Sequence, residues 1–92
     1  MSHIMAIFET PGMTAEQYDR VDTELKAIGM TKPDGRLFHV ATPIDGGWLV
    51  TDIWQSTELL DQFSKVLVPI LEANGIPAVQ PKIYPVYNLI TR

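Results

Sequence analysis

The stretch 35–56, GRLFHVATPIDGGWLVTDIWQS, decides the fold of this chain. It reads as two apolar strands joined by a tight turn at Asp45-Gly46, a pair that is among the strongest local signals for a β-hairpin. A turn of two or four residues at this point places His39 opposite Asp52. A turn of three residues would shift the register by one and move His39 to the face away from Asp52. We predict the first register, which sets an imidazole beside a carboxylate.

The composition is that of a small globular protein. The chain has 92 residues, is 46% hydrophobic and carries a net charge of −4, so we predict one domain over residues 1–92. Its seven basic residues form no stripe, which argues against a nucleic-acid partner. No apolar run is long enough to span a membrane and no signal peptide is evident, so we expect a cytoplasmic protein. The lack of cysteine excludes disulfides and thiolate metal sites.

Before the hairpin, the sequence predicts a strand and a helix. Residues 3–9, HIMAIFE, form a short apolar run typical of a strand. Thr14 and Gln17 fit a capping box, in which each side chain satisfies a free backbone amide of the other residue. The helix that follows should end at Gly29. Its apolar stripe consists of Tyr18, Val21, Leu25 and Ile28.

After the hairpin, the sequence predicts a second helix and a last strand. Ser56 should cap the helix, and Asn74-Gly75 should end it. Pro69 lies inside this helix, so we expect a kink or a break into two segments near Leu67. Residues 81–90 read as the last strand, in which Pro85 favours an edge position or a bulge.

The resulting order, β-α-β-β-α-β, predicts an α+β domain of the ferredoxin-like type, with a four-stranded antiparallel sheet and both helices on one face. The free face of such a sheet should be polar in a monomer. Here both faces of the hairpin are apolar, and we therefore expect a second copy of the sheet to cover the free one. The helix side holds Leu37, Ala41, Trp48, Val50 and Trp54, and the free side holds Phe38, Val40, Leu49 and Ile53.

Short motifs along nearly the whole chain carry a resemblance to a known family. They are PGMT at 11–14 with Tyr18-Asp19, GRLFHV at 35–40, DGGW at 45–48, DIWQS at 52–56 before a helix containing Phe63, and YPV at 84–86. With these motifs the chain resembles the dimeric α/β barrel superfamily, in particular the small proteins grouped with antibiotic-biosynthesis monooxygenases.

The resemblance implies a homodimer whose two sheets close a barrel, with a cavity in each subunit between sheet and helices. Relatives bind small aromatic or polyketide-like molecules in that cavity. Haem-degrading relatives carry an axial histidine on the second helix, and this chain has none there, so we predict no haem. No glycine-rich phosphate loop or metal-ligand spacing is present, and we predict no other cofactor and no metal.

The candidate catalytic residues are His39, as general base, and Asp52, which would orient the imidazole. His39 would remove a phenolic or α-carbonyl proton from the substrate. The ordinary alternative for this pair is a hydrogen-bonded core histidine with a structural acid. The candidate substrate-binding residues are aromatic side chains that could equally be core: Trp54, Tyr18, Trp48 and Phe63.

Three functions therefore stay open at this stage. The first is a cofactor-independent monooxygenase-like enzyme for a small aromatic or polyketide-like substrate. The second is a non-catalytic ligand-binding or structural dimer, and the third is a cyclase or isomerase of the same superfamily. An open cavity that reaches His39 would favour an enzyme.

Overall fold

The computed structural model describes residues 3–92 and has the predicted order of elements along the chain. The order in space is β2-β3-β1-β4, with every neighbouring pair antiparallel, which is the ferredoxin-like arrangement predicted above. The elements are β1 (Ile4–Pro11), α1 (Ala15–Ala27), β2 (Arg36–Ile44), β3 (Gly47–Trp54), α2 (Thr57–Ala73) and β4 (Lys82–Pro85).

The hairpin of β2 and β3 has the predicted register. His39 lies opposite Asp52, and Gly46 in the turn has a φ of 75°, a left-handed conformation that favours glycine. One irregularity was not predicted. A register shift between Arg36 and Phe38 places Arg36, not Leu37, opposite Trp54. The assignment of Leu37 to the helix side of the sheet is therefore wrong, because a bulge moves its neighbour into that place.

Capping fixes the start of both helices as predicted. The Thr14 hydroxyl accepts a hydrogen bond from the Gln17 amide at 3.2 Å, and the Thr14 amide donates to the Gln17 side chain at 3.0 Å. The Ser56 hydroxyl accepts from the backbone amide three residues later, at 3.2 Å. Gly29 ends the first helix with a φ of 73°.

Pro69 does not divide the second helix, which runs without interruption from Thr57 to Ala73. Of the two outcomes expected at Pro69, a kink or a break into two segments, the break is wrong, and the reason is physical. Pro69 is exposed, and so is Lys65, whose carbonyl loses its helical donor. Water can replace that donor on the wet side, while the opposite side of the helix stays packed on the core.

The last strand is shorter than predicted. It occupies Lys82–Pro85 at the edge of the sheet, which confirms the edge position expected from Pro85. Its neighbour β1 begins at Ile4, opposite Pro85, so ladder pairing stops there apart from one bond from the Val86 amide to the His3 carbonyl at 2.9 Å. The expectation of a strand that continues to residue 90 is therefore wrong.

The core lies between the helices and one face of the sheet. It is built from Ala6, Val21, Leu25, Trp54, Leu60, Phe63 and Ile76. On the other face Phe38 and Val40 are each 48% exposed, as predicted for a free apolar surface. Ile53 differs, because it is only 7% exposed within the subunit. No helix in residues 3–92 has the length and apolar character needed to cross a membrane.

Candidate functional site

Three polar side chains from separate elements form a continuous hydrogen-bonded chain. The hydroxyl of Tyr18, on α1, lies 2.6 Å from Nε2 of His39, on β2. Nδ1 of His39 lies 2.6 Å from Oδ1 of Asp52, its cross-strand neighbour on β3. Oδ2 of Asp52 accepts a hydrogen bond from Nε1 of Trp54 at 3.3 Å. The register of the hairpin brings His39 and Asp52 together, and the packing of α1 on the sheet brings Tyr18 to His39.

The partners of His39 determine where its proton lies. An ionised carboxylate can only accept hydrogen bonds, so Nδ1 of His39 carries the proton and donates it to Asp52. When only Nδ1 carries a proton, Nε2 is an acceptor and the Tyr18 hydroxyl donates to it. Burial, reinforced by the negative charge of Asp22, raises the pKa of Tyr18 above its ordinary value of 10.0, while the charge of Arg36 opposes this shift. The phenol therefore keeps its proton at neutral pH.

Asp52 is buried, whereas its partner His39 is partly exposed. The side chain of Asp52 is 6% exposed and that of His39 is 28% exposed. A buried carboxylate needs hydrogen-bond partners, and Asp52 has two, from His39 and Trp54. The imidazole of His39 therefore forms hydrogen bonds to a buried carboxylate on one side and to a hydroxyl on the other. This arrangement is typical of proton-transfer sites.

A cavity of about 380 Å³ lies beside this chain of side chains. That volume is within the range of small-molecule sites. Most of its wall is apolar and comes from both helices, the sheet and the segment 76–81 between α2 and β4. Its polar lining residues are Thr10, Tyr18, Asp22, Thr31, Arg36, His39, Asp52, Asp61, Ser64 and Gln80.

Four of the six predicted site residues line this cavity: His39, Asp52, Tyr18 and Phe63. The two tryptophans do not. Trp54 has no exposed surface, and the centre of its ring lies 5.6 Å from the centre of the Phe63 ring. Trp48 is 8% exposed, and it stacks on Tyr18 with 5.3 Å between the ring centres. Both tryptophan rings therefore lie behind the cavity wall and pack against residues that line it.

Arg36 lines the cavity as well and was not predicted. In a regular strand its place opposite Trp54 would belong to Leu37, so strand alternation assigns Arg36 to the other face. Gly35, directly before it, has a positive φ of 89°, which marks irregular backbone at the start of β2 together with the register shift. Among residues 3–92, no group of three or more His, Cys, Asp or Glu side chains could hold a metal ion.

Comparison with known proteins gives structural relatives only. No family model matches the chain, and no curated protein matches it. Among solved structures, a cofactor-independent oxygenase from Streptomyces nogalater, SnoaB, is 9% identical over the full length of both chains, with a TM-score of 0.69. The chain has the antibiotic biosynthesis monooxygenase fold.

Two further structures support this statement. Both are provisionally assigned as antibiotic biosynthesis monooxygenases, and each has a TM-score of 0.57 to this chain. The protein from Deinococcus radiodurans is 15% identical and covers 100% of this chain and 98% of its own. The protein from Caulobacter crescentus is 18% identical and covers 97% of this chain and 90% of its own. At these identities the likeness concerns the fold.

Proposed function

We propose that the protein is a cofactor-independent monooxygenase-like enzyme that acts on a small aromatic or polyketide-like molecule, with His39 as its base. The observation that carries the proposal is the Tyr18–His39–Asp52 chain in the wall of a cavity of about 380 Å³. The apolar wall suits a ring system, and the three side chains supply a route for one proton.

Because the Tyr18 hydroxyl occupies Nε2 of His39, the substrate proton reaches the imidazole through Tyr18. A substrate hydroxyl or acidic C–H gives its proton to the Tyr18 oxygen as the Tyr18 proton passes to Nε2. The imidazolium that forms keeps its Nδ1–H bond to Asp52, and this carboxylate stabilises the new charge. The substrate is left as an anion in a largely apolar cavity.

Such an anion can supply the electrons for oxygenation itself. Overall, a CH₂ group activated by a neighbouring ketone reacts with O₂ to give a carbonyl group and one water. One oxygen atom enters the substrate and the other leaves in the water, so the two electrons that reduce the second atom come from the CH₂ carbon. The fold shared with SnoaB, which is a cofactor-independent oxygenase, supports this reading.

A cyclase or isomerase is the second candidate, because the polar groups around the cavity transfer protons and none is specific to O₂. In that case the anion would be reprotonated or would attack a carbonyl of the same substrate. A non-catalytic ligand-binding or structural dimer is the remaining alternative, in which His39 and Asp52 only satisfy each other.

The experiment uses anthrone, a tricyclic ketone with an acidic CH₂ group, as the probe. Oxygen uptake and anthraquinone formation are measured against the rate without protein, for wild type, His39→Gln and His3→Gln. His3 is the matched control, because it is the other histidine and does not line the cavity. We expect His39→Gln to lower kcat by about 100-fold, the usual contribution of a general base, and His3→Gln to leave it unchanged.

A deuterium-exchange measurement at the anthrone CH₂ group without oxygen separates the candidates. Exchange that depends on His39, without oxygen uptake in air, would favour the cyclase or isomerase. A wild-type protein that accelerates neither process, or a His39→Gln variant as active as wild type, would refute the enzymatic proposal.

We also propose that the protein is a homodimer formed through the free face of the sheet. The support is a set of exposed apolar side chains on that face: Phe38 and Val40 at 48%, Ile44 at 38% and Tyr84 at 49%. Burial of such a surface favours association by roughly 25 cal/mol per Å² of apolar area.

A further inference from the structure

Arg36 is the one lysine or arginine among the described residues that line the cavity. The bulge at the start of β2 brings it there, opposite Trp54 on the helix side of the sheet. Its guanidinium carbon lies 5.6 Å from the centre of the Phe63 ring, over the ring face, and Phe63 lines the same cavity. The cation is therefore placed against an aromatic wall rather than in open solvent.

The guanidinium has more donors than partners. It offers five N–H groups, and within residues 3–92 its side chain makes one hydrogen bond, from Nη2 to the Thr31 carbonyl at 2.7 Å. Among the carboxylates of this part of the chain, Asp22 pairs with Lys26 at 3.2 Å, and Asp52 is hydrogen-bonded to His39. Arg36 belongs to neither, so no carboxylate of the described chain neutralises it.

The negative groups of the cavity are accounted for separately. Asp52 is bound to His39, Asp22 is paired with Lys26, and Asp61 is exposed on α2. A partly buried arginine with free donors matches the planar oxygen pair of a carboxylate, which it can bind through two parallel hydrogen bonds.

We propose that Arg36 sets the substrate class by binding a carboxylate on the aromatic or polyketide-like molecule that occupies the cavity. The inference rests on the proposed function for its site and deepens it, because it adds an anionic group to the substrate. Arg36 anchors the carboxylate at one point of the wall, and the ring system then lies along the apolar lining toward Tyr18 and His39.

The competing explanation is a purely structural arginine that holds the 31–36 segment through the Thr31 carbonyl. The two explanations differ in what a substitution does to ligands with and without a carboxylate. Loss of a structural contact would lower the affinity for both ligands to the same extent. Loss of an anchor would lower the affinity only for the ligand that carries a carboxylate.

The probes are 6-hydroxy-2-naphthoate and 2-naphthol, which share a hydroxylated ring system and differ in the carboxylate. Their affinities are measured by isothermal titration calorimetry at pH 7 and fixed salt concentration. The variants are Arg36→Gln, Arg36→Lys and, as a matched control for charge, Arg20→Gln. Arg20 is exposed on α1 and does not line the cavity.

We expect wild type to bind the naphthoate at least about 10-fold more tightly than the naphthol, as a charge-assisted hydrogen bond requires. Arg36→Gln should remove this preference with naphthol affinity nearly unchanged, Arg36→Lys should keep part of it, and Arg20→Gln should keep all of it. A wild type that binds neither probe or both equally, or an Arg36→Gln variant that loses both equally, would overturn the inference.

The outcome is independent of turnover. Carboxylate preference that depends on Arg36, in a protein that neither oxidises anthrone nor exchanges its protons, would uphold the anchor and reject the enzyme. Catalysis that depends on His39, in a protein without carboxylate preference, would do the reverse. His39→Gln itself should retain the preference for the naphthoate.

Discussion

Replacing Asp52 by asparagine should move the proton of His39 from Nδ1 to Nε2, because the two side chains at position 52 have nearly the same shape but different hydrogen-bonding groups. The carboxylate accepts from two donors, Nδ1–H of His39 at 2.6 Å and Nε1–H of Trp54 at 3.3 Å. The asparagine oxygen can serve only one of them well. If it accepts from Trp54, its amide group donates to Nδ1 of His39, and Nε2 must then carry the proton toward Tyr18. The ring would no longer be a base toward the cavity.

The loss of stability expected for Asp52→Asn follows from the two hydrogen bonds that the carboxylate accepts. Hydrogen bonds to a charged group contribute about 1.5–3 kcal/mol each and neutral ones about 0.5–1.5 kcal/mol, so each of the two bonds weakens by about 1 kcal/mol. The total, about 2 kcal/mol, corresponds to a fall in Tm of roughly 8–16 °C for a domain of this size. The site is nearly closed to water, since Asp52 is 4% exposed, so solvent cannot compensate for the change.

Two measurements test this prediction. Thermal unfolding followed by circular dichroism, at one protein concentration, gives the change in Tm. Nitrogen-15 NMR of the imidazole gives the protonated nitrogen, with His3 as an internal reference. Asp34→Asn is the control, because it removes the same charge from an exposed position and should leave both readouts unchanged. An Asp52→Asn protein with the wild-type Tm and with Nδ1 still protonated would refute the reasoning.

Three further predictions concern other parts of the molecule. Val40→Asp should convert a dimer into a monomer in sedimentation velocity, whereas Ile28→Asp, an exposed apolar residue at the end of α1, should stay dimeric; a dimeric Val40→Asp variant would place the interface elsewhere. Because the pKa of Tyr18 is raised on folding, the unfolded chain loses this proton first and stability should fall as pH rises above about 10. Tyr18→Phe should reduce that loss in denaturant titrations at pH 8 and 10.5, and an unchanged loss would assign it to other groups. Gly35→Ala should destabilise more than Gly12→Ala: both have positive φ, which costs about 1–2 kcal/mol in an L-residue, but only the added Cβ at Gly35 meets other atoms, at 2.5 Å. Equal unfolding free energies of the two variants would contradict this.

The parts of the site that follow from neighbouring residues could be predicted from the sequence. The turn at Asp45-Gly46 fixes the register of two strands, so the pairing of His39 with Asp52 needed no knowledge of the rest of the fold. The capping residues Thr14 and Ser56 act over three residues and were also recognisable. Alternating and helical periodicity then gave the order of elements and the α+β fold.

The tertiary structure decided everything that depends on how distant segments pack. The Tyr18 hydroxyl meets His39 across 21 residues, through the position of α1 on the sheet, which no local signal encodes. The approach of α2 to the start of β2 leaves no room for a side chain at Gly35, and the bulge beside it brings Arg36 into the cavity. Both tryptophans were buried behind the cavity wall for the same reason. Local hydrogen bonding sets turns and caps within a few residues, whereas the shape of a cavity is set by which side chains fill the space between elements.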